Sequence, residues 1–68
     1  MPRVELERLP QVQARVGLST TTIWRLRRAG HFPQPVQISS GSVAWVRHEI
    51  DDWLAERIAA RDERAAGR

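Results

Sequence analysis

Residues 17–32 read G-L-S-T-T-T-I-W-R-L-R-R-A-G-H-F, and the fold turns on whether a helix begins inside them. Three threonines followed by Ile23 are weak helix formers, because branching at Cβ crowds the preceding turn. Ser19, however, is a good N-cap, and Gly30 is a good C-terminal stop. The spacing predicts a helix from Thr20 to Ala29. On a wheel of about 100° per residue, Thr22, Leu26 and Ala29 fall on the side of Ile23. Thr21, Arg25 and Arg28 fall opposite, with Trp24 and Thr20 at one flank. One face is therefore apolar and short-chained, and the other is hydroxyl and guanidinium.

Upstream, Pro10 suits the first turn of a helix. Val12 and Val16 are four apart, and Gly17 ends the segment, which predicts a first helix over about Pro10 to Val16. Two short helices joined by a glycine-containing turn make a helix-turn-helix. Before them, Val4 and Leu6 alternate with Glu5 and Glu7, which predicts a short strand with one wet face. Downstream, Pro33 and Pro35 keep H-F-P-Q-P extended. Val36 and Ile38, then Val43 and Trp45, alternate around S-S-G-S, where Gly41 is free to adopt a positive φ. This predicts a β-hairpin. From Arg47 or His48 onward, Ile50, Trp53, Leu54 and Ile58 fall at helical spacing. Glu49, Asp51 and Asp52 then occupy the end that the helix dipole favours for anions. The order strand, helix, helix, hairpin, helix predicts an α+β, mainly α, winged helix-turn-helix over residues 1–60, with a disordered or frayed tail over 61–68.

The chain has 68 residues and a net charge of +3. A domain this small buries only about 60% of its unfolded surface, too little for a core and an enclosed catalytic pocket together. The charge is segregated. Residues 1–7 carry −1 and residues 49–68 carry −2. Residues 8–48 carry +6, from Arg8, Arg15, Arg25, Arg27, Arg28 and Arg47, without one carboxylate. Clustered cations of this kind suit a polyanion. There is no cysteine, hence no disulfide and no thiolate site. No apolar run approaches the ~18 residues of a membrane span. A cytoplasmic, nucleoid-associated protein is expected.

A helix of this character, set after a tight turn, can lie in the major groove of B-DNA. Arg25 and Arg28 are expected to contact DNA across the groove, and Thr20 and Thr21 to set the register. Arg27, nearer the core side, is expected to reach a phosphate or nothing. The weaker alternative is that Ser19 alone is the cap and the threonines are solvated filler. Trp24 is open between closing the core and donating its indole N–H to a phosphate, since the side chain is apolar in body and polar at the tip. Trp45 and Trp53 read as core. Ser40 and Gly41 could touch DNA at a wing tip or form an ordinary solvated turn. His48 and Asp52 lie four apart, but two ligands do not make a metal site. No serine or threonine has an evident base partner, and no glycine-rich phosphate loop is present. No enzyme activity, cofactor or metal is expected.

The run R-L-P-Q-V-Q-A-R-V-G-L-S-T-T-T-I-W-R-L-R-R-A-G-H-F-P-Q-P-V, followed by A-W and E-I-D-D-W-L, resembles the AlpA family of small phage and prophage regulators. These are related to excisionases and, more distantly, to MerR-type winged helices. The resemblance spans about Arg8 to Ala59. It implies a sequence-specific DNA binder of phage or prophage origin, with Ser19, Thr20, Thr21, Thr22, Trp24 and Arg25 on the recognition helix. The family often carries a basic residue in the wing turn, where this chain has Gly41. It usually has a tyrosine where this chain has Trp24. Double-stranded DNA is the expected partner, with self-association or cooperative binding on DNA, because a lone domain reads few base pairs. Two further readings share the sequence: a recombination directionality factor that bends attachment-site DNA for an integrase, and a protein-binding adaptor working through the last helix.

Overall fold

The computed structural model describes residues 3–67. Its order is β1 (Leu6–Glu7), α1 (Leu9–Val16), α2 (Thr20–Arg28), β2 (Val36–Ser39), β3 (Ser42–Val46) and α3 (Arg47–Ala66). The strands form one antiparallel sheet in the order β1-β3-β2. This is a mainly helical α+β, winged-helix-like fold.

Local chemistry sets most of the boundaries. The side chain of Gln11 accepts from the backbone N–H of Arg8 at 2.9 Å, which satisfies one orphan donor at the start of α1. Gly17 ends α1 with φ 72°, and its N–H donates to the carbonyl of Gln13 at 2.8 Å. At the end of α2, Gly30 takes φ 80° and donates to the carbonyl of Arg27, while His31 donates to that of Leu26. This pairing is the Schellman motif, which needs a left-handed residue where Gly30 stands. The helix itself stops at Arg28 and Ala29 is its cap, so Ala29, expected on the apolar face, is exposed.

One residue from nearly every element enters the core: Val12 of α1, Ile23 of α2, Phe32 of the strap before β2, Trp45 of β3 and Ile50 of α3. All four aromatic side chains of the protein join in a chain through it. Trp24 lies 5.9 Å from Trp45, Trp45 lies 6.5 Å from Phe32, and Phe32 lies 4.9 Å from Trp53, all tilted or edge-on. Two indoles pin the strap by hydrogen bonds. Trp45 Nε1 donates to the carbonyl of Pro33 at 2.9 Å, and Trp53 Nε1 donates to that of His31 at 2.8 Å.

Two expectations need correcting, and one element runs longer than its apolar pattern. First, the strand at the N-terminus is only two residues long, and its faces are reversed. Val4 is 72% exposed and Leu6 42%, whereas the Glu7 side chain is only 13% exposed. Glu7 pairs with Trp45 across the ladder and meets Arg15 of α1, so a charge partner, not hydropathy, decides which face is covered. Second, α3 runs to Ala66, past Ile58, the last residue of its apolar spacing. Alanine and arginine dominate that end and are strong helix formers; Arg68 lies outside the described residues. Third, Gly41 does not take a positive φ. The register instead shifts between Gln37 and Ser39, and a local bulge supplies twist that the turn would otherwise need.

No helix among the described residues is long and apolar enough to cross a membrane. Replacing Trp45 by Phe keeps an aromatic ring but removes the pyrrole half of the indole, which strands the Pro33 carbonyl and leaves a void in the core. We expect a loss of about 1–3 kcal/mol, read as a lower midpoint in urea unfolding. An unchanged midpoint would show that the strap is not held by this bond.

Candidate nucleic-acid interface

The outward face of α2 is where the sequence places it. Thr21, Arg25 and Arg28 are exposed, and Ile23 on the other side is fully buried. The N-terminal residues divide their duties more finely. Ser19 Oγ accepts from the backbone N–H of Thr22 at 3.2 Å and donates to Thr22 Oγ1 at 3.0 Å. Ser19 and Thr22 are therefore engaged with each other, and Thr22 is half-buried. Gln13 of α1 donates its amide N–H to Thr20 Oγ1 at 3.0 Å, linking the two helices across the turn. Thr21 has no such bond among the described residues.

Trp24 takes a position between the two alternatives. Its ring packs on Trp45, half-buried against the core, while its indole N–H has no acceptor among the described residues. Arg27 lies over it, with the guanidinium carbon 4.6 Å from the ring centroid. Arg27 Nε donates to Gln34 Oε1 at 2.9 Å, and Gln34 Nε2 donates back to the Arg27 carbonyl at 3.1 Å. Arg27 is thus half-buried and held. Neither Gln13 nor Gln34 stood out in the sequence. For Gln34 the available signal was its place between Pro33 and Pro35, which fixes its backbone.

The electrostatics also separate the arginines. Arg15 is bound by Glu7 at 2.5 Å and by Asp51, and Arg47 is bound by Glu5 at 2.7 Å. Hydrogen bonding to Glu7 and then Asp51 raises the Arg15 guanidinium above its ordinary pKa, and Glu5 does the same for Arg47. The acids that do this lie outside the acid-free segment. Among the described residues, Arg25, Arg27 and Arg28 meet no carboxylate. Ser40 and Gly41 form the two-residue turn between β2 and β3, both exposed. His48 stands 4.0 Å from Asp52, a lone surface contact.

Residues 5–58 match the family described as prophage CP4-57 regulatory protein (AlpA). The chain belongs to the AlpA family. It is 44% identical over 54 residues to an uncharacterised protein, ORF88, of Enterobacteria phage P4, covering 79% of this chain and 61% of that one. It is 33% identical over 60 residues to the DNA-binding transcriptional activator AlpA of Escherichia coli K12, covering 79% of this chain and 86% of the relative. The chain therefore spans less than two thirds of the length of the phage P4 protein. The AlpA match takes in α1, α2, the strap, the sheet and α3 as far as Ile58. It contains all of the face described above.

Ser19 serves the helix before it serves any ligand. Ser19→Ala should cost about 1 kcal/mol of stability through the lost cap, seen as a lower thermal midpoint by circular dichroism. An unaltered midpoint would mean that Ser19 is not the cap that starts α2.

Proposed function

We propose that this AlpA-family chain is a sequence-specific DNA-binding transcriptional regulator of prophage origin that lays α2 in the major groove. The observation that carries the reading is the exposed face of Thr21, Arg25 and Arg28. It is cationic, it meets no carboxylate among the described residues, and a buried Ile23 braces it from behind. Arginine forks suit guanine edges and phosphates alike. The short hydroxyl side chains at the start of the helix let a groove approach closely. The first N–H groups of α2 are available to a phosphate, with Thr20 and Thr21 setting register. The name of the E. coli relative, a DNA-binding transcriptional activator, supports the same reading.

Ser40 and Gly41 form the wing in this reading. A Cβ at Gly41 would meet nothing within 4 Å, and its backbone is not left-handed. The wing touches DNA lightly through hydroxyls and backbone, and room remains for a longer cation. Because one small domain reads few base pairs, adjacent copies bind cooperatively on neighbouring half-sites.

The test is binding to a duplex selected from a random library, followed across a salt titration. Arg25→Ala and Arg28→Ala should each weaken binding, and each should flatten the salt dependence by about one unit of slope where the lost contact is to phosphate. Unchanged affinity in both variants would overturn the interface. Gly41→Lys should leave the thermal midpoint unmoved and steepen the salt dependence by about one unit. No steepening would remove the wing from the DNA contact.

A further inference from the structure

We propose that Trp24, Arg27 and Gln34 form a preset seat for a DNA backbone phosphate, in which Gln34 is a positioning residue acting through Arg27. The proposal deepens the DNA-binding reading above and rests on it.

The seat closes on itself. Trp45, fully buried, holds the strap through Pro33 and holds the ring of Trp24 by packing. The strap carries Gln34 between two prolines, so its backbone has little freedom. Both ends of the Gln34 amide are spent on Arg27: the oxygen accepts from Nε and the nitrogen donates to the carbonyl. Reversing the amide would set oxygen against oxygen at the carbonyl, so its orientation is fixed. Arg27 in turn lies over the Trp24 ring. Each contact in this circuit leads back to the core.

The consequence is an arginine whose side chain has been immobilised before any ligand arrives. Only Nε is used within the protein; the Nη groups keep their donors, and no acceptor reaches them among the described residues. Arg28 lines the same cleft. A planar guanidinium with its outer donors vacant, beside a second cation, matches an oxyanion with several acceptor oxygens. On a helix whose adjoining face enters a groove, that oxyanion is a backbone phosphate. A phosphate contact fixes register and carries no base information.

Preorganisation explains why the strap would commit a glutamine to an arginine on the helix beside it. Immobilising a long side chain on binding opposes association, and an arginine already fixed avoids most of that loss. Gln34 therefore contributes to affinity without touching DNA.

A double-mutant cycle tests this, using the full chain, a duplex selected by the wild type and a scrambled duplex of equal length, with circular dichroism confirming folding. Arg27→Ala should weaken binding to both duplexes by the same factor, about tenfold, and flatten the salt slope by about one unit. Gln34→Ala should weaken it by about threefold. The double variant should bind no worse than Arg27→Ala alone, since Gln34 has nothing left to position. Gln34→Glu should weaken binding more than Gln34→Ala, because the carboxylate neutralises Arg27 in place. Multiplying losses in the double variant would show that Gln34 acts independently and overturn the positioning role. Wild-type affinity in Arg27→Ala would overturn the seat, as would an effect confined to the selected duplex. A wild-type chain that binds no duplex would instead remove the DNA reading on which the seat rests.

Discussion

A buried indole must find an acceptor for its N–H, and Trp45 finds it in the carbonyl of Pro33. That bond ties the strap before β2 to the middle strand of the sheet. Trp45 sits in the middle strand of the sheet and is fully buried. Its ring meets Trp24 of α2 on one side and Phe32 on the other, and Phe32 meets Trp53 of α3. The strap from His31 to Pro35 has no ladder of its own to hold it. It is fastened by two indole donors at its carbonyls and by the burial of Phe32 between the rings. In so small a domain, two tryptophans and a phenylalanine supply much of the apolar burial available.

The same arrangement explains how α2 survives its own sequence. Its opening threonines disfavour helix, and isolated helices of this length are marginal in water. Three things compensate. Ser19 caps the first turn, the left-handed Gly30 closes the last, and Ile23 is buried completely between them. Weak propensity on the outer face is then tolerable, and short side chains can occupy the positions where bulk would keep a partner away.

Charge is sorted by tertiary contact rather than by composition. Six arginines lie in the acid-free segment, but Arg15 and Arg47 are bound by Glu7, Asp51 and Glu5, drawn from the two flanking segments. The exposed Arg47–Glu5 pair contributes little stability. The effect of these contacts is to quench two cations away from α2 and leave the positive field concentrated on that helix. The backbone does a related job at the other end, where the carbonyl of Glu5 accepts from the N–H of Arg47 at 2.8 Å and satisfies a donor at the start of α3.

The sequence by itself determined the element order, both helix stops, the hairpin and the burial of Ile23 and Trp45. These depend on caps, glycines, prolines and periodicities that act within a few residues. It also determined which side chains of α2 face outward, because a helical wheel needs only the residues of that helix. Tertiary structure alone decided the face of Glu7, the engagement of Thr20 by Gln13, the half-burial of Trp24 and the Gln34 hold on Arg27. In each case the partner lies on another element, seven or more residues away, and the choice is between ligands that local spacing treats as equal. An arginine reads the same in sequence whether it is quenched, held or exposed. Only the packing that brings its neighbours together distinguishes Arg15, Arg27 and Arg25.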